Sequence, residues 1–218
     1  MRRIPAILLC LIFGTGVFAL DPDELNNVAI FNNSGGDIVY LFLSPGDSEY
    51  WGPDILGSER TLEHRSALGF YIHYPDACNT FDFMAIDSDG NAYVKWDVEI
   101  CDESEATISI TGQDLSDSPP EVEYISLEIV NNASYDMWFV FLSPADSNMW
   151  GVDLLDEESI LEAGASAEFL VPIGSQKGTY DFLGVDEDND DYRFSLEIDP
   201  AEGDELFVEI TDDDYSEE

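Results

Sequence analysis

Trp51 and Asp54 sit three residues apart in a stretch, Ser44 to Leu56, that returns as Ser143 to Leu155 with Trp150 and Asp153 in the same places. The shared box reads SPxDSxxWGxDxL. A tryptophan on a loop offers a flat apolar face for stacking, and nearby carboxylates anchor hydroxyl or amide groups. Asp47, Trp51, Asp54, Asp146, Trp150 and Asp153 therefore form a ligand-loop candidate suited to carbohydrate or a partner peptide. The same residues also serve folding. Pro45/Pro144 and Gly52/Gly151 punctuate the backbone, Asp47/Asp146 and Ser48/Ser147 cap turns, and the tryptophans with Leu56/Leu155 pin the loop to a core. Every kept residue type has such a structural reason.

Calcium is the one cofactor the residues suggest. Asp87-Ser88-Asp89-Gly90-Asn91 and the run Asp186 to Asp191 place oxygen side chains at alternating positions, with Asp87, Asp89, Asp186, Asp188 and Asp190 as ligand candidates. The helix-loop-helix pattern is incomplete, lacking the bidentate glutamate at its twelfth position, and strand signals flank both segments. Asp89-Gly90 also reads as a plain hairpin turn. Catalytic residues are not found. His64 and His73 align with Ala163 and Pro172, so neither histidine is shared, and no nucleophile elbow, zinc helix or phosphate loop occurs. An exported hydrolase using clustered carboxylates is the remaining enzymatic alternative, weakened because so many acids make any spacing available.

Cys78 and Cys101 lie in the first copy, and their counterparts, Lys177 and a position near Asp199–Pro200, both lack sulfur. Joint presence and joint absence is the behaviour of a pair, so a Cys78–Cys101 disulfide is expected in an exported protein. Two cysteines without histidines at ligand spacing do not make a zinc site.

Residues 1–20 read as a cleavable signal: Arg2 and Arg3, an apolar run from Ile7 to Val17, then Val17-Phe18-Ala19 as a small-residue cleavage site. A lipoprotein signal at Cys10 competes, but no small residue precedes that cysteine. After the signal no apolar stretch reaches membrane length, so the mature chain is expected to be soluble and periplasmic or extracellular. All 48 acids follow residue 20 against five bases (Arg60, Arg65, Lys95, Lys177, Arg193), a formal charge of −43. That field opposes binding to nucleic acid or an anionic membrane and suits solubility in salty surroundings.

The elements that must hold these residues are strands. Subtracting 99 aligns the copies without a gap from Asn32/Asn131 through Phe70/Phe169 to Tyr93/Tyr192. Short runs rich in Val, Ile, Phe, Tyr and Trp alternate with Gly, Asn, Asp and Pro clusters. The first copy reads as strands near Val28–Asn32, Ile38–Leu43, Arg60–Glu63, Gly69–Tyr74, Phe81–Ile86, Ala92–Ile100 and Thr107–Thr111. The second reads as Ser126–Asn131, Met137–Leu142, Ser159–Glu162, Glu168–Pro172, Tyr180–Val185, Tyr192–Ile198 and Leu206–Thr211. The expected fold is all-β: two tandem, independently cored antiparallel β-sandwich domains of immunoglobulin-like type. They span 21–115 and 124–211, with a stiff Pro/Ser linker at 116–123 and a disordered acidic tail at 212–218. Matched aromatics (Phe42/Phe141, Phe81/Tyr180, Phe83/Phe182) supply much of the core, each ring worth about 2–3 kcal/mol on burial.

The box, Cys78 to Asp82, the acidic hairpin and Val98 to Cys101 together resemble a group of small exported bacterial proteins of unknown function. Some members carry the label argininosuccinate lyase. This chain lacks the serine-rich S-S-x-M-P-x-K-x-N-P loop of those lyases, and its strand pattern contradicts their helical fold. The resemblance implies module boundaries and the disulfide, not an activity. Duplication with kept aromatics and turns, but no kept acid–base pair, points to a non-enzymatic binding or envelope-associated module whose partner is a glycan or an envelope protein.

Overall fold

The structure, a computed structural model, describes residues 20, 22, 25–58, 60–101, 106–155, 159–174 and 176–216. Apart from Leu20, the expected signal lies outside the described residues, as does Cys10. The first copy forms β1 (Asn26–Asn33), β2 (Ile38–Pro45), β3 (Ala67–His73), β4 (Cys78–Asp87), β5 (Ala92–Cys101) and β6 (Ala106–Thr111). The second forms β7 (Glu123–Asn131), β8 (Met137–Pro144), β9 (Gly151–Val152), β10 (Ser166–Ile173), β11 (Gly178–Asp186), β12 (Asp191–Ile198) and β13 (Glu205–Ile210). The chain is all-β, and each copy is a two-sheet sandwich. Among the described residues no helix is long and apolar enough to cross a membrane.

In the first copy β1 lies between β3 and β6, facing a sheet in which β4 lies between β2 and β5. The second copy repeats this with β10-β7-β13 and β12-β11-β8. The ladders are not all antiparallel as expected, since β1–β6 and β7–β13 run parallel. The chain leaves β5 or β12 and crosses to the opposite sheet instead of turning back in a hairpin, and such a crossover delivers a parallel neighbour. Arg60–Glu63 and Ser159–Glu162 do not form strands. Only Leu62 and Leu161 bridge, to Ile38 and Met137, each held by one side chain: Asn32 Nδ2 donates to Leu62 O at 2.8 Å and Asn131 Nδ2 to Leu161 O at 2.9 Å.

The cores are not independent. One buried cluster joins Val28, Ile30 and Phe81 of the first copy to Leu127, Ile129 and Tyr180 of the second. The boxes make the junction by crossing over. β9 adds antiparallel to the edge of β3, with Ile72 opposite Val152, and Asp153 N donates to Tyr71 O at 3.0 Å. In the mirror contact Asp54 N donates to Leu170 O at 2.7 Å.

The segments entering each copy cross as well. Leu20 and Leu25 rest on Phe141, Leu183 and Val185 of the second copy. Val122 belongs to the patch of Phe42, Trp51 and Met84 on the first copy, and the Tyr124 ring stacks 5.7 Å from Phe42. The stretch expected as a bare linker is thus partly docked, because its apolar residues cover a sheet face. The tail is ordered through Ser216: Asp214 Oδ2 accepts from Thr211 N at 2.8 Å, and Tyr215 bridges to Tyr192.

Candidate functional site: the boxes and the bulged face of the first copy

The box carboxylates divide into two kinds. Asp54 and Asp153 are buried. Asp54 Oδ1 accepts from Leu41 N at 2.8 Å and Leu56 N at 3.1 Å. Asp153 Oδ1 does the same for Val140 N at 2.9 Å and Leu155 N at 3.2 Å. Such inward carboxylates tie the loop to its strand and face no ligand, which corrects their expected role as polar anchors. Burial raises the Asp54 carboxyl to about 7, against the two N–H donors and the nearby Arg60 charge. Its Oδ2 is buried without a hydrogen-bond partner.

Asp47 and Asp146 are spent on the junction. Ser48 Oγ donates to Asp146 Oδ1 at 2.7 Å, and Ser147 Oγ donates to Asp47 Oδ1 at 2.9 Å. Tyr180 OH adds a buried bond to Trp51 O at 3.0 Å. Arg60 spans both boxes, donating to Ile55 O at 2.7 Å and to Leu154 O at 3.4 Å.

The acidic hairpins turn their first carboxylate on themselves. Asp87 Oδ1 accepts from Asp89 N at 3.0 Å and Asn91 N at 2.8 Å, while Oδ2 accepts from Tyr93 OH at 3.1 Å. Asp186 Oδ1 likewise accepts from Asp188 N and Asp190 N, both at 2.9 Å. These donors hold the Asp87 carboxyl below the usual range despite its burial. Oxygens already filled by N–H and O–H groups are poor cation ligands. Among the described residues no three carboxylates of Asp87, Asp89, Asp186, Asp188 and Asp190 converge. The cluster that does converge among the described residues, Cys78, Glu99 and Cys101, has its sulfurs joined to each other: Cys78 and Cys101 form the expected disulfide across directly opposed positions of β4 and β5.

A groove of about 1010 Å³ runs along the second copy past Arg60, Glu128, Glu168 and Phe207. Its acids Glu128, Glu168 and Glu205 are exposed, and so lack the burial that poises a carboxyl as a general acid.

The feature that sequence reasoning missed lies on β5. Phe83 opposes Lys95 and Phe81 opposes Val98, so the register slips and Trp96 and Asp97 both face Asp82. This is a β-bulge, with one extra residue on one strand. Asp97 takes a positive φ of 53°, a conformation its short polar side chain tolerates, and its N–H donates to Asp82 Oδ1 at 2.8 Å. In the second copy Asp181 opposes Ser195 with no slip, and Ser195 Oγ donates to Asp181 Oδ1. The bulge presents Trp96, 56 % exposed, with its ring 5.6 Å from that of Trp51 and tilted 48°. Burial lifts the half-exposed Asp82 carboxyl above the usual range; the Asp97 N–H opposes this and the Asp97 charge adds to it. The signal was present in the sequence: between Asp97 and Cys101 the copies align only with an offset of 98, as Ile100 with Ile198.

No family model matches the chain, and no curated protein matches it. Among solved structures it is similar to a streptococcal ancillary pilin, at 14 % identity and a TM-score of 0.28, over 88 % of this chain and 62 % of that one. It is also similar to the family CBM26 module of Eubacterium rectale Amy13K, solved in complex with maltoheptaose, at 12 % identity and a TM-score of 0.24, over 85 % of this chain and 91 % of that one.

Proposed function

We propose that this chain is an exported, non-enzymatic module that binds a neutral glycan on the bulged face of its first copy. One observation carries the reading: the face of the first copy that holds a single-residue insertion, absent from the second copy, sets an exposed Trp96 beside Trp51 with Asp82 and Asp97 at its foot. An exposed indole stacks on the apolar face of a sugar ring, and carboxylates at the ring's edge accept its hydroxyl hydrogens. The strongly negative chain repels anionic polymers, which narrows the class to uncharged glycans. The disulfide accords with an oxidising compartment.

Affinity electrophoresis through neutral polysaccharides tests this. The chain is expected to be retarded by at least one of them. Trp96→Ala should weaken that binding tenfold or more, about 1.4 kcal/mol. Trp138→Ala, which removes an exposed indole of the second copy, should leave it unchanged. No retardation by any neutral glycan, or equal loss in both variants, refutes the proposal.

A further inference from the structure

The two docked arms meet different side chains. On the second copy Leu20 is only 3 % exposed, and its backbone nitrogen donates to Asp191 Oδ2 at 3.3 Å. Asp191 is 4 % exposed, and the same oxygen accepts from Arg193 Nη2. The Arg193 guanidinium in turn lies 5.8 Å from the centre of the Trp150 ring. On the first copy the matching positions are Ala92 and Val94, and the residue matching Leu20 is Pro119, which has no N–H. A buried ionic pair therefore stands only where the N-terminal arm docks, and is absent where the arm is an interior stretch of chain.

A distance of 3.3 Å is at the long end for an amide N–H···O bond, which runs about 2.7–3.2 Å, whereas an ammonium on a carboxylate closes to about 2.7–2.9 Å. An ammonium at the same position would bring a full charge and three donors to Asp191. The residues just before it, Val17-Phe18-Ala19, are the small-residue cleavage pattern.

We infer that cleavage between Ala19 and Leu20, one residue before the expected end of the signal, creates an N-terminal ammonium that docks against Asp191 and Arg193, so that removal of the leader completes and locks the fold. A peptidase of the export route consumes one water and breaks the Ala19–Leu20 amide. The carboxylate leaves with Ala19, and the Leu20 amine takes up a proton at neutral pH. The inference rests on the export reading above.

The test compares the mature chain released from a fusion with Leu20 as its first residue against the same chain beginning at Ala19. Both are made with the native site and with Asp191→Ala plus Arg193→Val, which installs the residues of the first copy. With the native site, the Leu20 form is expected to melt about 4 °C higher than the Ala19 form. Its α-amine should react about tenfold more slowly with an acylating reagent at neutral pH, the effect of about one pKa unit. Both differences should vanish in the double variant. Equal melting and reactivity, or differences that persist in the double variant, overturn the docking. A secreted protein whose mass places its first residue elsewhere overturns the proposal through its export premise instead, and so separates the two failures.

Discussion

The two copies are the same sandwich twice, yet they secure the same corner by different chemistry. At the start of β4 and the end of β5 the first copy has the Cys78–Cys101 disulfide. At the matching corner of β11 and β12 the second copy has an exposed ion pair, Lys177 Nζ to Glu197 Oε2 at 2.6 Å. Residues shared by both copies (Asn32/Asn131, Asp54/Asp153, the boxes) satisfy buried backbone groups or build the junction. Residues present once (the disulfide, the Trp96 bulge, the Asp191–Arg193 pair) lie outside that junction. Sharing therefore marks architecture, and divergence marks the places where the two copies differ in what they expose or what packs on them.

The sharpest way to break this equivalence is at the glycine after each box tryptophan. A Cβ on Gly52 would lie 2.2 Å from Leu43 O, whereas one on Gly151 would meet nothing within 4 Å. Gly151 is instead required by its φ of 71°. Gly52→Ala should thus cost about 3 kcal/mol or more, because backbone must move. Gly151→Ala should cost only about 1–2 kcal/mol for the left-handed conformation. Urea unfolding of the two variants ranks them, and equal losses would show the positions to be equivalent after all.

Asp54 makes a difference of similar size that depends on pH. Its folded carboxyl is raised to about 7 from 3.8, so the folded state binds the proton more tightly than the unfolded state does. Stability is then unaffected below about pH 4 and falls as pH rises toward 7, by up to about 4 kcal/mol. Asp54→Asn keeps an oxygen for the Leu41 and Leu56 N–H groups and removes the charge. The variant should gain on the parent chain between pH 4.5 and 7.5, as followed by urea midpoints. A constant gap across that range would place the charge cost elsewhere.

Replacing Cys78 and Cys101 by serine opens a loop of 23 residues' separation and should cost about 3 kcal/mol. Lys177→Ala, at the exposed counterpart, should leave the thermal midpoint unchanged. The smallest effect concerns calcium. Because Asp87 and Asp186 are filled by their own turns, melting in calcium and in chelator should coincide. A shift of several degrees would reopen the hairpins as cation sites.

Much of the fold was legible because strand alternation and turn chemistry are local. Every strand but the short Gly151–Val152 pair overlaps a segment marked by its strand-rich composition, most running one to three residues beyond it, and the paired loss of sulfur foretold the disulfide. Patterning records which side chains turn inward, not what they meet there. Arg60–Glu63 carries a strand-like composition, yet only Leu62 finds a partner. The box aspartates look alike in the sequence, but Asp47 bonds across the junction and Asp54 back to its own strand. Loop entry angles decide that, and composition does not encode them. Trp96 was hidden for another reason: the change of offset after Asp97 is readable in the sequence, but that it is a bulge beside an exposed indole is set by the register of β4 and β5.

The reciprocity of the boxes is that of an isologous contact, in which one surface meets its own equivalent across a two-fold axis. A lone module would carry both halves of that contact and would satisfy them by pairing with a sister molecule. Joining the sisters through Gly112 to Glu121 makes the association permanent and independent of concentration. It also ends their obligation to be identical: sulfur and an outward indole beside Trp51 stand in one half, while the other holds Leu20.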